Sequence, residues 1–120
     1  MSFSFVVLGR DLPVMDKTAS DPYFKFYVNG DKVYKSKKIK DTVNPNWEKF
    51  NVSRSEFGQF PKMVDVKVEV WDDDFGKNDY MGSGYFKILK LLGDSATQVE
   101  LVNEKTQEPA GHLLIRVTEE

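Results

Sequence analysis

Apolar and polar residues alternate with a period of two along most of the chain, which is the pattern of half-buried strands. The clearest run is Val64-Asp65-Val66-Lys67-Val68-Glu69-Val70-Trp71. Its four valines take one face, and Asp65, Lys67 and Glu69 take the other. Phe24, Phe26 and Val28 alternate with polar and aromatic neighbours in the same way. Near the C-terminus Leu113, Ile115 and Val117 share a face, with Leu114 and Arg116 opposite. The first segment leaves its register open: Phe3, Phe5 and Val7 share one face, Val6 and Leu8 the other, and a bulge would reconcile them. Turn residues divide the runs. Asn29-Gly30-Asp31 predicts a hairpin between strands near 23–28 and 32–40, Asn44-Pro45-Asn46 a break, and Lys77-Asn78-Asp79 a turn. Phe86 to Leu92 suits a short helix or a strand entering a loop. Seven or eight short strands joined by polar turns predict an all-β, two-sheet antiparallel sandwich, with residues 1–120 as a single domain.

Composition narrows the chemistry. The 120 residues include no cysteine and a single histidine, His112. Disulfide scaffolds, thiolate metal sites, a cysteine nucleophile and histidine-based zinc are therefore not expected. No apolar run approaches the roughly 20 residues that span a bilayer. The first residues lack the basic segment and cleavage site of a signal peptide, so a cytoplasmic location is the expectation. The net charge of −2 conceals a separation. Lys32, Lys35, Lys37, Lys38 and Lys40 stand in a stretch without acids, while Asp72, Asp73 and Asp74 are consecutive and Asp79 follows.

Two aspartate-bearing loops are the candidate chemistry. Asp16 and Asp21 stand five apart between the first two strands. Asp72 and Asp74 stand two apart where a strand ends, so both project to one side, and Asp79 returns beyond the turn. In an up-and-down sandwich the first, third and fifth turns share an end, which gathers both loops beside Asn44-Pro45. Carboxylates so close repel by a few kcal/mol even at an effective dielectric near 20. Such a group takes up protons or binds a hard cation, and an open acidic cup suits calcium better than the strict octahedron of magnesium. Ordinary turn chemistry, in which Asp and Asn bond their own backbone, is the competing explanation at this point.

The chain resembles the C2 family of calcium-dependent phospholipid-binding β-sandwiches. The matching segments run in order: Arg10-Asp11-Leu12-Pro13, Met15-Asp16, Ser20-Asp21-Pro22-Tyr23, Thr42-Val43-Asn44-Pro45-Asn46-Trp47, Val68-Glu69-Val70-Trp71-Asp72-Asp73-Asp74 and Asp79-Tyr80-Met81-Gly82, with a final strand led by Gly111. The resemblance implies an eight-stranded antiparallel sandwich of the permuted, type II arrangement. It implies a calcium-ligand set of Asp16, Asp21, Asp72, Asp74 and Asp79, with the backbone carbonyls of Met15 and Asp73. Both loops are one residue shorter than the usual pattern, which leaves the ligands in place and implies about two ions. It further implies insertion of Phe75 into the membrane interface and a basic groove, here Lys35 and Lys37, for anionic headgroups of the phosphatidylserine or phosphoinositide class. On the strand near 33–40, Lys35 and Lys37 are expected on one face, Lys38 and Lys40 on the other. The implied function is calcium-dependent recruitment of a monomeric cytoplasmic module to anionic membranes when calcium rises, with protein partners possible. Calcium-independent protein–protein interaction is the alternative. Nucleic-acid binding is not expected of an acidic domain without a base-stacking motif. An enzyme is not expected, since no nucleophile or general base accompanies the carboxylates. Asp74-Phe75-Gly76 is a coincidental match to a kinase motif, and Asp72 to Ser83 fails as an EF-hand because Lys77 and Ser83 stand at its sixth and twelfth positions.

Overall fold

The computed structural model describes residues 1–15, 20–74 and 76–120. The described chain forms β1 (Ser2–Arg10), β2 (Pro22–Val28), β3 (Asp31–Lys35), β4 (Phe50–Ser53), a 3₁₀ turn (Arg54–Phe57), β5 (Asp65–Asp74), β6 (Lys77–Lys87), α1 (Ile88–Leu91), β7 (Thr97–Asn103) and β8 (Glu108–Glu119). The strands follow the order β3-β2-β5-β6-β7-β8-β1-β4, with every pair antiparallel. The β6–β7 pairing is a single step, Ser83 opposite Val102. The ladder bends there into two four-stranded layers, β3-β2-β5-β6 and β7-β8-β1-β4. The result is the eight-stranded sandwich expected. The C-terminal strand β8 is the neighbour of β1.

The core is the inward half of each alternation. Phe3, Phe5 and Val7 of β1, Phe24 and Phe26 of β2, Val66, Val68 and Val70 of β5, and Leu113, Ile115 and Val117 of β8 are all buried between the layers. Phe5 meets Phe26 edge-on at 5.3 Å and Phe24 meets Phe50 at 5.7 Å, so aromatic rings tie the layers together. The open register of the first segment is settled in favour of the phenylalanines. β1 pairs with β8 without interruption from Phe3–Glu119 to Arg10–His112, so no bulge is needed there.

Three expectations about boundaries are corrected. The strand expected over 32–40 ends at Lys35, after a bulge that leaves Val33 unmatched opposite Phe26/Tyr27. Beyond it the chain follows β2 irregularly, held by Ser36 N–H to Phe24 O (2.9 Å) and Ile39 N–H to Pro22 O (3.1 Å). The turn expected at 77–79 is strand instead, since β5 and β6 pair out to Asp74–Lys77. The final strand begins at Glu108 rather than at Gly111. Gly111 lies inside it at φ 80°, where a Cβ would meet the carbonyl oxygens of Asp11 and Arg10 at 2.4 and 2.5 Å. The hairpin at Asn29-Gly30 is as expected, both residues having positive φ. Phe86 to Leu92 satisfies both expectations: strand to Lys87, then one helical turn.

Candidate metal centre

The acidic centre is built by the period of β5. Its inward face is valine at 66, 68 and 70, and the same face continues as Asp72 and Asp74 beyond the apolar core. A bulge at Val70/Trp71 is accommodated by one extra residue on β6, Met81. It leaves Asp72 directly opposite Asp79, on one face of the hairpin. On the other side Pro22 of β2 pairs with Asp72, which delivers Asp21 to the same place. Asp21 N–H donates to Asp72 Oδ1 at 2.8 Å, and Asp73 N–H donates to the Asp21 carbonyl at 3.1 Å.

Asp72 is 1% exposed, and none of the described groups donates a hydrogen bond to its Oδ2. Burial is the main force raising its pKa. The Asp21 N–H works against that rise, while the charges of Asp74, Asp21 and Asp79 add to it. A buried, half-satisfied carboxylate repelled by three others is what a hard cation would relieve. Asp21 is fixed by a second contact, Asp41 N–H donating to its Oδ1 at 2.9 Å. Ser20, fully buried, accepts Met15 N–H at 3.0 Å and donates to the Pro13 carbonyl at 3.1 Å, which pins the first loop where it enters the site. The third turn closes the same end. Leu12 N–H reaches the Val43 carbonyl at 3.0 Å, Thr42 N–H the Ser20 carbonyl at 2.9 Å, and Asp11 N–H the Asn44 side chain at 3.0 Å.

The structure therefore brings together Asp21, Asp72, Asp74 and Asp79, with Met15 and Asp73 in the adjoining backbone. Asp16 and Phe75 lie outside the described residues. Among the described residues no three acid or histidine side chains close on a single ion position. Sequence reasoning missed Ser20 and Asp41, whose role is to hold the loops by hydrogen bonds across distant turns. It also missed Val14, 56% exposed at this end.

The basic groove borders the acidic centre directly. Lys38 Nζ lies 3.2 Å from Asp73 Oδ2. Tyr23, Lys35, Lys37, Lys38, Asp73 and Asn78 line a hollow of about 350 Å³ on the outer face of the first sheet. Because the strand stops at Lys35, Lys37 and Lys38 both reach this hollow, and the expected division of the lysines between two faces is not found. Lys35 Nζ stands 5.2 Å from the Tyr23 ring, and Lys25 Nζ 4.8 Å from the Trp71 ring, so flat aromatic faces accompany the charges.

Comparison with known proteins agrees with this architecture. The C2 domain family model matches residues 4–103, and the chain belongs to the C2 domain family. It is 41% identical over 93 residues to multiple C2 and transmembrane domain-containing protein 2 of Mus musculus, a match covering 75% of this chain and 10% of that protein. It is 31% identical over 109 residues to copine-B of Dictyostelium discoideum, covering 87% of this chain and 21% of the relative. The chain thus spans between a tenth and a fifth of these relatives. Among solved structures, a C2 domain of plant extended synaptotagmin 1 superposes with a TM-score of 0.74 at 22% identity, covering 98% of this chain and 91% of the other. The calcium-bound tandem C2 domains of extended synaptotagmin 2 superpose with a TM-score of 0.61 at 20% identity, covering 97% of this chain and 45% of the other. C2 domains commonly bind Ca²⁺, and most serve as non-catalytic membrane-targeting modules. Among the described residues no helix is long and apolar enough to cross a membrane.

Proposed function

We propose that this domain, taken as one unit over residues 1–120, binds calcium through its loop aspartates and is thereby recruited from the cytoplasm to anionic phospholipid surfaces. The observation that carries this reading is the buried Asp72 carboxylate, whose Oδ2 has no donor among the described groups and which lies beside three further aspartates. Asp16, Asp21, Asp72, Asp74 and Asp79, with the carbonyls of Met15 and Asp73, would hold about two ions. Calcium supplies positive charge and open coordination positions for lipid phosphate or carboxylate oxygens.

The chain's own residues do the rest. Asp41 N–H holds Asp21, and Ser20 ties Met15 and Pro13, before any ion arrives. Two calcium ions bring four positive charges against five carboxylates and remove most of the repulsion between this end and an anionic surface. The effect acts within about 8 Å at physiological ionic strength, so it governs contact rather than long-range approach. Lys35, beside the Tyr23 ring, and Lys37, in the same hollow, supply attraction worth about 1 kcal/mol each near an anionic membrane. The exposed Val14 stands at the approaching end. Burial of Phe75 in the interface would contribute about 2 kcal/mol.

The test is co-sedimentation with vesicles of phosphatidylcholine alone and of phosphatidylcholine with phosphatidylserine, in calcium and in chelator. Pelleting only with phosphatidylserine and calcium together is the expected result. Equal pelleting with and without calcium, or none in either, would overturn the reading.

A further inference from the structure

A second cavity lies on the side of the sandwich where the two layers end. β3 and β4 are the terminal strands of the sheet order, and Tyr34 of β3 stacks on Phe50 of β4 with ring centroids 3.9 Å apart and planes 5° apart. Beside that stack, Tyr34, Ile39, Trp47 and Phe50 wall a cleft of about 220 Å³. Its floor is rigid. The Trp47 indole is buried, donates to the Lys37 carbonyl at 3.1 Å and meets Phe24 edge-on at 4.8 Å. The volume is below the roughly 300–1,000 Å³ that encloses a whole small-molecule ligand. It suits one large side chain instead.

The rim carries Lys37, Lys38 and Lys49 against a single acid, Glu48. Lys38 and Lys49 have acidic neighbours, Asp73 at 3.2 Å and Glu120 at 3.9 Å, but both pairs are exposed and readily exchanged. The outer backbone edges of β3 and β4 face away from their sheets, since each strand has one neighbour only among the described strands. Lys32 and Lys35 on β3, with Lys49 just before β4, repel a second copy of this chain and attract an acidic segment.

We propose that the cleft between β3 and β4 docks an extended acidic peptide segment that inserts one large apolar side chain against Trp47 and Phe50. Rim lysines select the charge, the aromatic walls select the anchor, and the free strand edges accept the peptide backbone. This goes beyond membrane recruitment and uses a different face. Lys37 and Lys38 border both hollows, so an anionic membrane and the peptide compete, while Lys49 belongs to the cleft alone.

The experiment uses fluorescein-labelled heptapeptides of alternating aspartate and glutamate with the central residue varied over Phe, Trp, Leu and Ser. Binding is read by anisotropy in chelator, which removes any contribution from calcium. Indole N–H resonances of Trp47 and Trp71 report the location. The proposal expects saturable binding at least tenfold tighter for the Phe, Trp or Leu centre than for Ser, with Trp47 shifted and Trp71 unmoved. Lys49→Glu should weaken binding at least tenfold with unchanged thermal unfolding and unchanged calcium-dependent pelleting. Equal binding of the Ser and Phe peptides, a shift of Trp71 in place of Trp47, or no binding by any peptide would overturn it.

Discussion

The two ends of the sandwich handle charge in opposite ways. At the end holding the third turn, Asp21, Asp72, Asp74 and Asp79 are drawn together, and the raised pKa of buried Asp72 records the cost. At the other end acids meet bases. Glu119 is paired with Arg54 at 2.9 Å and Lys62 at 2.7 Å, and Asp65 with Lys87. The same strand serves both patterns, since β5 begins at paired Asp65 and finishes at Asp72 and Asp74. A fold selected for stability alone would not collect carboxylates in this way, so the acidic end is where a binding function is to be sought.

The largest effect should come from breaking the acidic end itself. Asp72→Asn with Asp74→Asn is expected to lower calcium-dependent affinity for phosphatidylserine vesicles more than a hundredfold in co-sedimentation. Next comes the stabilising effect of the ion. Calcium at a hundred times its dissociation constant should stabilise the fold by about 2.7 kcal/mol. In a domain of this size that raises the thermal midpoint by about 10 °C, reversed by chelator. Lys35→Ala with Lys37→Ala should weaken binding to anionic vesicles by about 2 kcal/mol and leave the calcium-induced thermal shift unchanged. Asp72→Asn alone sharpens the contrast. It keeps the acceptor for Asp21 N–H but removes a buried charge, so the calcium-free protein should gain about 1 kcal/mol, or ~4 °C, in thermal unfolding. A loss of stability would mean that the carboxylate is structural.

The smallest effect belongs to the paired charges. Lys62 and Arg54 hold the Glu119 carboxyl below its usual pKa, and the Tyr85 hydroxyl and Lys67 do the same for Glu104. A carboxyl with a lowered folded pKa stabilises the fold above its unfolded value and loses that contribution as pH falls through the folded one. Glu104→Gln and Glu119→Gln should therefore flatten the acid side of the stability profile below about pH 4.3. They should leave stability at neutral pH only slightly lower, as urea titrations across pH would show.

The inward strand faces were legible because alternation survives wherever one face meets a core, as in Val66, Val68 and Val70. Counting turns was enough to bring Asp21 to Asp72, since an up-and-down sandwich offers only two ends. The extent of β3 was not legible. Its lysine run carries no buried alternation, and the bulge at Val33 removes the register that Lys37 and Lys38 would have followed. Nor was the support of the site legible. Ser20 and Asp41 act through hydrogen bonds to groups 5 to 20 residues away, which leave no periodic trace. Asp16 rests on its spacing from Asp21 and on family resemblance, Phe75 on family resemblance alone, and both lie outside the described residues.

The most direct test of the acidic centre is a calorimetric calcium titration of the wild-type domain beside Asp72→Asn/Asp74→Asn. Saturable heat fitting about two ions in the wild type, and none in the double variant, is the predicted result. An identical response from both proteins, or no heat from the wild type at millimolar calcium, would contradict the account.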